Sequence, residues 1–311
     1  MTDKKKFIIG SRGSKLSLAY SNYVKNLLTK SNPQFDQESI EIKIIKTSGD
    51  IFQNKKISEI GGKGVFSKQI EEELLEAKID LAVHSLKDLP TIMTDGLCVK
   101  SVVKRNDPRD VFLSYSSKFF NELKPESKVG TSSLRRKAQL NLLRKDITVV
   151  DMRGNIDTRI KKLKNKDYDA IVLSLAGIHM LDLKNEIKEV FTIEQMLPAI
   201  GQGVIALQCK KDDQKTLDVL KTINHEETYY CIQAERALLE AVGGDCSTAI
   251  GGLATLKNEK IYLKSELFSD DGNKKFEFQI SGHFNEAKEI GYKAGKELLK
   301  KAGSDFTIKG N

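Results

Sequence analysis

One unit recurs along this chain and constrains its fold more than any other feature: a short apolar run, a turn of Gly, Ser, Thr or Asn, then apolar residues at helical spacing. Phe7-Ile8-Ile9 runs into Gly10-Ser11-Arg12-Gly13-Ser14, after which Leu16, Ala19, Tyr23 and Leu27 recur on one helical face. Residues 40–47 alternate as a strand, Phe66, Ile70 and Leu74 mark a helix after Gly61-Gly62-Lys63-Gly64, and residues 79–83 form a second buried strand. Beyond the polar stretch 104–110 the pattern starts again. It gives strand Val111-Phe112-Leu113, turn Gly130-Thr131-Ser132-Ser133, a helix from Leu134, strand 147–150, turn Arg153-Gly154-Asn155, a helix from Ile156 and strand 170–173. Strands alternating with helices build a helix-covered sheet, so the fold class is α/β. The turn Pro198 to Gly203 and the apolar strand 204–208 follow. From about His225 the character changes to a helix carrying Cys231, Ala234, Leu238 and Ala241, a glycine-rich loop, strands near Ile261 and Phe276, and a last helix over 287–299. That is a small α+β domain, and 311 residues suit two or three domains better than one.

Composition narrows the class. With 39% hydrophobic and 30% charged residues the chain is globular rather than disordered. No apolar run approaches the roughly 18 residues of a membrane helix. Met1 to Lys6 leads straight into an apolar strand without the apolar core of a secretory leader, so a cytoplasmic location is expected. Cys98, Cys209, Cys231 and Cys246 form no C-x-x-C pair and only four histidines are available, so no metal site and no disulfide is expected. The formal charge of +8 invites anionic partners, although most lysines read as ordinary solvated surface.

Three turns place arginine in or beside the first turn of a helix: Ser11-Arg12-Gly13-Ser14, Gly130-Thr131-Ser132-Ser133-Leu134-Arg135-Arg136, and Arg153-Gly154-Asn155 with Arg159. Free N–H groups at a helix start attract anions, and guanidinium forks match carboxylates. Helix capping alone selects the same serines and threonines, so one such turn is ambiguous, whereas three together favour a polyanion site. His84-Ser85-Leu86-Lys87-Asp88-Leu89-Pro90 leaves a buried strand at its carboxyl end, the edge that faces ligands in open α/β sheets. Lys87 and Asp88 there are either a structural ion pair or an anion-holding cation and an acid. Cys246 lies between Gly243-Gly244 and Gly251-Gly252, with little apolar cover, and reads as a reactive thiol, while the other three cysteines read as buried filler.

At these residues the sequence resembles the hydroxymethylbilane synthase (porphobilinogen deaminase) family along nearly its whole length. The resemblance rests on Gly10-Ser11-Arg12, Gly61 to Phe66, His84 to Pro90, Asp107-Pro108-Arg109-Asp110, Gly130 to Arg136, Arg153-Gly154-Asn155, Pro198 to Gly203 and Gly243-Gly244-Asp245-Cys246, all in order. It implies two lobes like those of periplasmic binding proteins, residues 1–104 with 204–222 and residues 105–203, and an α+β domain over 223–311 that carries the cofactor. It implies a monomer that joins four porphobilinogens head to tail on a dipyrromethane held by a thioether to Cys246, and releases hydroxymethylbilane and ammonia. By the same resemblance Asp88 is catalytic, stabilising the cation left by loss of ammonia. Ser85, Lys87, Thr131, Ser132, Ser133, Arg135, Arg136, Arg153 and Gly154 bind the cofactor, and Arg12, Ser14, Arg159, Gln202 and Phe66 bind substrate. Three positions depart from the family: Met180 where arginine is common, Tyr20 where glutamine is common, and Glu59 where some members have lysine. Two other classes compete, a non-enzymatic two-lobed binding protein and a nucleic-acid binder. The first gives no reason for Cys246 and its domain. The second is opposed by 7% aromatic residues and no tryptophan.

Overall fold

A computed structural model of the chain describes residues 6–51, 67–245 and 247–307. In chain order the elements are β1 (Phe7–Ser11), α1 (Lys15–Ser31), β2 (Ile40–Ile44), α2 (Ser48–Ile51), α3 (Lys68–Leu75), β3 (Leu81–Ser85), β4 (Leu97–Val102), β5 (Asp110–Ser114), β6 (Lys128–Gly130), α4 (Leu134–Leu143), β7 (Thr148–Val150), α5 (Ile156–Lys164), β8 (Ala170–Ser174), α6 (Leu175–Met180), β9 (Glu189–Val190), β10 (Ile205–Lys210), α7 (Gln214–Lys221), α8 (Glu226–Ala241), β11 (Ile250–Lys257), β12 (Lys260–Phe268), β13 (Lys275–His283) and α9 (Ala287–Ala302). The chain forms two compact units, residues 1–105 with 204–229, and residues 106–203 with 230–311. Among the described residues no helix is long and apolar enough to cross a membrane.

The first unit holds a five-stranded sheet in the order β2-β1-β3-β10-β4. β1 is parallel to β2 and β3, and β10 runs antiparallel between β3 and β4. The near-continuous apolar run of β3, Leu81-Ala82-Val83, is what a strand covered on both faces requires. Ile70 and Leu74 of α3 pack with Ile45, Ile79, Ala82 and Leu97 on one side of the sheet.

The second unit repeats the plan in the order β7-β6-β8-β5-β9, again three parallel strands followed by antiparallel partners. Alternation along β5 sends Phe112 to one face, where it meets Phe120 and Phe191 edge-on with ring centres 6.0 and 6.5 Å away. Val111 and Leu113 go to the other face, against Ile160 and Leu163 of α5. The same unit contains the antiparallel meander β11-β12-β13, whose core includes Leu238 of α8 and Ile290, Ala294 and Leu298 of α9. Gly291 sets the closeness of the two helices, because a Cβ there would lie 2.1 Å from the Ala234 carbonyl oxygen. Gly251 and Gly252, which look in the sequence like part of an open loop, are buried in β11. A Cβ on Gly252 would fall 2.3 Å from Ile200 Cδ1, so glycine serves close packing there rather than exposure.

Candidate functional site

In the first unit the predicted residues gather at the carboxyl ends of two neighbouring strands. Ile9 and Gly10 of β1 face Leu81 and Ala82 of β3, so continuing this parallel register brings Arg12 alongside His84, two residues before the turn that follows β3. That turn is a single 3-10 turn, Leu86–Asp88, anchored by the Leu86 N–H to the Val204 carbonyl at 2.9 Å. Leu86 is buried beneath it, Ser85 and Lys87 are half-buried, and Asp88 is exposed. Ser14 caps α1 by accepting from Ser17 N at 3.2 Å, as the capping alternative requires. Tyr20 of α1 is buried, and its phenol is pushed up by that burial and by the negative charge of Asp88.

In the second unit the turn after β6 is built by its hydroxyls. Ser133 caps α4 by accepting from Arg136 N at 3.4 Å, and Ser132 Oγ donates to Met152 O at 2.6 Å, tying this turn to the one after β7. Arg153 and Arg159 are half-buried on the next turn, where Arg159 Nε donates to the Gly154 carbonyl at 2.7 Å. Asn155 makes no side-chain cap, so the capping alternative holds for two of the three turns and fails at this one.

Arg135 and Arg136 are buried and converge on Asp110, the first residue of β5. Arg135 Nη1 stands 2.8 Å from Asp110 Oδ2 and also donates to the Leu197 carbonyl at 2.8 Å. Arg136 donates to Asp110 Oδ1 through Nη2 at 2.7 Å and Nε at 3.2 Å. Gln202 Nε2 donates to the same oxygen at 2.9 Å and to the Pro108 carbonyl at 2.6 Å. Burial opposes ionisation of Asp110, but the two guanidiniums outweigh it and hold the carboxyl well below the usual carboxylate range.

Cys246, Phe66 and Glu59 lie outside the described residues. Beside Cys246, Asp245 Oδ1 accepts from Ser247 N at 2.8 Å and from Ser247 Oγ at 2.6 Å. Cys98, Cys209 and Cys231 are buried, as expected. Met180 is half-buried at the end of α6. Two residues to which the sequence assigned no role matter here. Asp110 anchors both arginines, and Glu235 of α8, fully buried, accepts from Gly201 N at 2.7 Å and Ala254 N at 2.9 Å, fixing the loop that carries Gln202. The available signal was a charge set into an apolar pattern, Asp110 before Val-Phe-Leu and Glu235 between Ala234 and Leu238.

Comparison with known proteins gives these geometries a context. Residues 7–218 match the family description "porphobilinogen deaminase, dipyromethane cofactor binding domain", and residues 229–300 match "porphobilinogen deaminase, C-terminal domain". The chain is 42% identical to a porphobilinogen deaminase of Syntrophomonas wolfei, covering 95% of this chain and 96% of that protein. It is 43% identical to one of Ehrlichia chaffeensis, covering 94% and 96%. Among solved structures it is similar to a putative methionine-binding lipoprotein of Bacillus subtilis at TM-score 0.44 and 11% identity, covering 74% of this chain and 94% of that one. The chain belongs to the porphobilinogen deaminase family, transferases that assemble hydroxymethylbilane from four porphobilinogens on a dipyrromethane cofactor.

Proposed function

We propose that Asp88 is the catalytic carboxylate of this reaction and that Arg12, Ser14 and Lys87 receive porphobilinogen beside it. The observation that carries this assignment is the exposure of Asp88 on the turn that continues β3, next to the end of β1 where Arg12 lies. When ammonia leaves the aminomethyl group of porphobilinogen, the pyrrole ring is left cationic. A fixed carboxylate stabilises that charge, and the guanidinium of Arg12 pairs with a substrate carboxylate. Arg159, Gln202 and Phe66 complete the substrate contacts. Asp88→Asn tests the assignment: the protein folds and kcat falls by about a hundredfold or more. Unchanged turnover in that variant refutes the role of Asp88.

Dipyrromethane carries acetate and propionate groups, and the residues of the second unit suit such a polyanion. Arg135 and Arg136 bring two positive charges against the one carboxylate of Asp110, so the buried cluster retains a net positive charge that a ligand carboxylate would offset. Glu266, the other acid felt by Arg135, has its carboxyl pushed up by burial and stands 3.4 Å from Lys275 Nζ, which shares its charge. Among the described residues Arg135 Nε is a buried donor without a hydrogen-bond partner. Ser85, Lys87, Thr131, Ser132, Ser133, Arg135, Arg136, Arg153 and Gly154 hold the cofactor, and Cys246 supplies the thioether. When bound, the dipyrromethane provides the nucleophilic ring carbon on which the chain starts. The protein acts as a cytoplasmic monomer without nucleic acid. Its residues divide into two lobes, 1–104 with 204–222 and 105–203, and a cofactor-carrying domain, 223–311.

A further inference from the structure

A chain of hydrogen-bonded polar side chains runs from exposed Thr94 into the core of the first unit. Thr94 Oγ1 donates to Glu71 Oε2 at 2.7 Å, Gln208 Nε2 donates to Glu71 Oε1 at 2.8 Å, and His84 Nε2 lies 3.0 Å from Gln208 Oε1. Glu71, Gln208 and His84 are 7%, 0% and 8% exposed, so none of these groups is solvated. The chain has one direction. A carboxylate only accepts, so Gln208 must turn its amide nitrogen to Glu71 and its carbonyl oxygen to His84. His84 then has to donate from Nε2, and its neutral form keeps the lone pair on Nδ1. Ala206 pairs with His84, which places Gln208 on the same face of the sheet, one step along.

Burying three such groups costs stability that apolar residues would not, and only full hydrogen bonding offsets it. The position of the chain points to what it does. His84 is the residue before Ser85 and the Leu86–Asp88 turn, and the β1–β3 register brings it alongside Arg12. Arg12 is close enough to oppose a positive charge on the ring.

We propose that Thr94, Glu71 and Gln208 form a positioning device that holds His84 as the neutral Nε2–H tautomer and thereby fixes Arg12 and the Ser85–Asp88 turn for catalysis. The functional half rests on the assignment of Arg12 and Asp88 above; the tautomer is independent of it.

Imidazole 15N spectra of the holoenzyme at neutral pH, with His84 assigned by comparison with His84→Gln, read the tautomer directly. Protonated Nε2 with bare Nδ1 is expected, and Nδ1–H or imidazolium overturns the proposal. Gln208→Leu removes the acceptor, so His84 should lose that signature, kcat should fall and KM rise, with kcat/KM down about tenfold to a hundredfold. Glu71→Gln keeps one oxygen acceptor for Gln208 Nε2 and can turn its amide nitrogen to Thr94 Oγ1, which is able to accept, so this variant should retain the tautomer and nearly parental constants. A merely structural network would lower the unfolding midpoint of Gln208→Leu and leave both constants unchanged, which refutes positioning. If Gln208→Leu does not fold, Gln208→Met, similar in length without the polar end, takes its place, and the parental spectrum still decides the tautomer. Normal turnover in Asp88→Asn with the predicted spectrum would sink the active-site assignment and leave the tautomer standing.

Discussion

Asp110→Asn is the most demanding test of the buried cluster, because it preserves shape and removes only charge. Asp110 is fully buried and is met by Arg135 at 2.8 Å, Arg136 at 2.7 Å and Gln202 at 2.9 Å. In the variant two guanidiniums share a neutral amide, one end of which can only donate. Removing one partner of a buried ion pair costs about 3–5 kcal/mol, and a carboxylate that serves two cations belongs toward the upper end. At a urea slope of about 2 kcal/mol/M, a loss of about 4 kcal/mol lowers the unfolding midpoint by about 2 M. Circular dichroism against urea at pH 7 reads this for parent and variant. The cluster also sets a pH dependence. The folded carboxyl lies below its unfolded value near 3.8, so its contribution is present above that pH and is lost as pH falls toward the folded value. The variant lacks that acid-side loss. A variant within 1 kcal/mol of the parent would show that Asp110 does not balance the arginines.

Three further outcomes follow from the same residues. Cys246→Ser should leave an intact mass without the dipyrromethane increment, and peptide mapping that finds the adduct on Cys98, Cys209 or Cys231 instead refutes the assignment. His84, pushed by burial from 6.5 down to about 4, binds fewer protons folded than unfolded between those values, so stability should fall as pH drops from 6.5 to 4 by up to about 3 kcal/mol. His84→Gln, compared by urea midpoints across that range, should lack this loss, and an equal loss in both proteins refutes the assignment to His84. Met180→Arg, which supplies the arginine that the family resemblance implies there, should lengthen the lifetime of carboxylate-rich intermediates on anion exchange by an amount worth about 1.5–3 kcal/mol, and unchanged lifetimes mean no such contact exists at that position.

The sheet-forming segments were legible because apolar runs and glycine turns report burial and chain reversal directly. β1, β5, β8 and β10 lie where their sequences placed them. β4 and β11 were not foreseen. Leu97–Val102 carries a lysine that interrupts its apolar pattern, and Gly251-Gly252 of β11 reads as loop unless the close approach of Ile200 is known. The site divides in the same way. The arginine turns were visible because capping and anion attraction select a local sequence. What Arg135 and Arg136 touch was not visible, because Asp110 lies 25 and 26 residues away and meets them only through the sheet.

This division bears on where the recognition energy resides. The net charge of +8 first suggests a diffuse electrostatic attraction for anions. Part of the lysine charge sits in exposed pairs such as Lys6 with Glu41 and Lys78 with Glu76, worth about 0–1 kcal/mol each and screened by salt. The arginines at the strand ends are different in kind. Arg135 and Arg136 are desolvated and oriented by Asp110, Val172 and Leu197, and Arg159 is folded onto Gly154. A carboxylate that reaches such groups meets donors already fixed in place, in a medium that screens them little. If these arginines bind the ligand as proposed, discrimination among pyrrole carboxylates falls to a few buried guanidiniums and the acids that hold them.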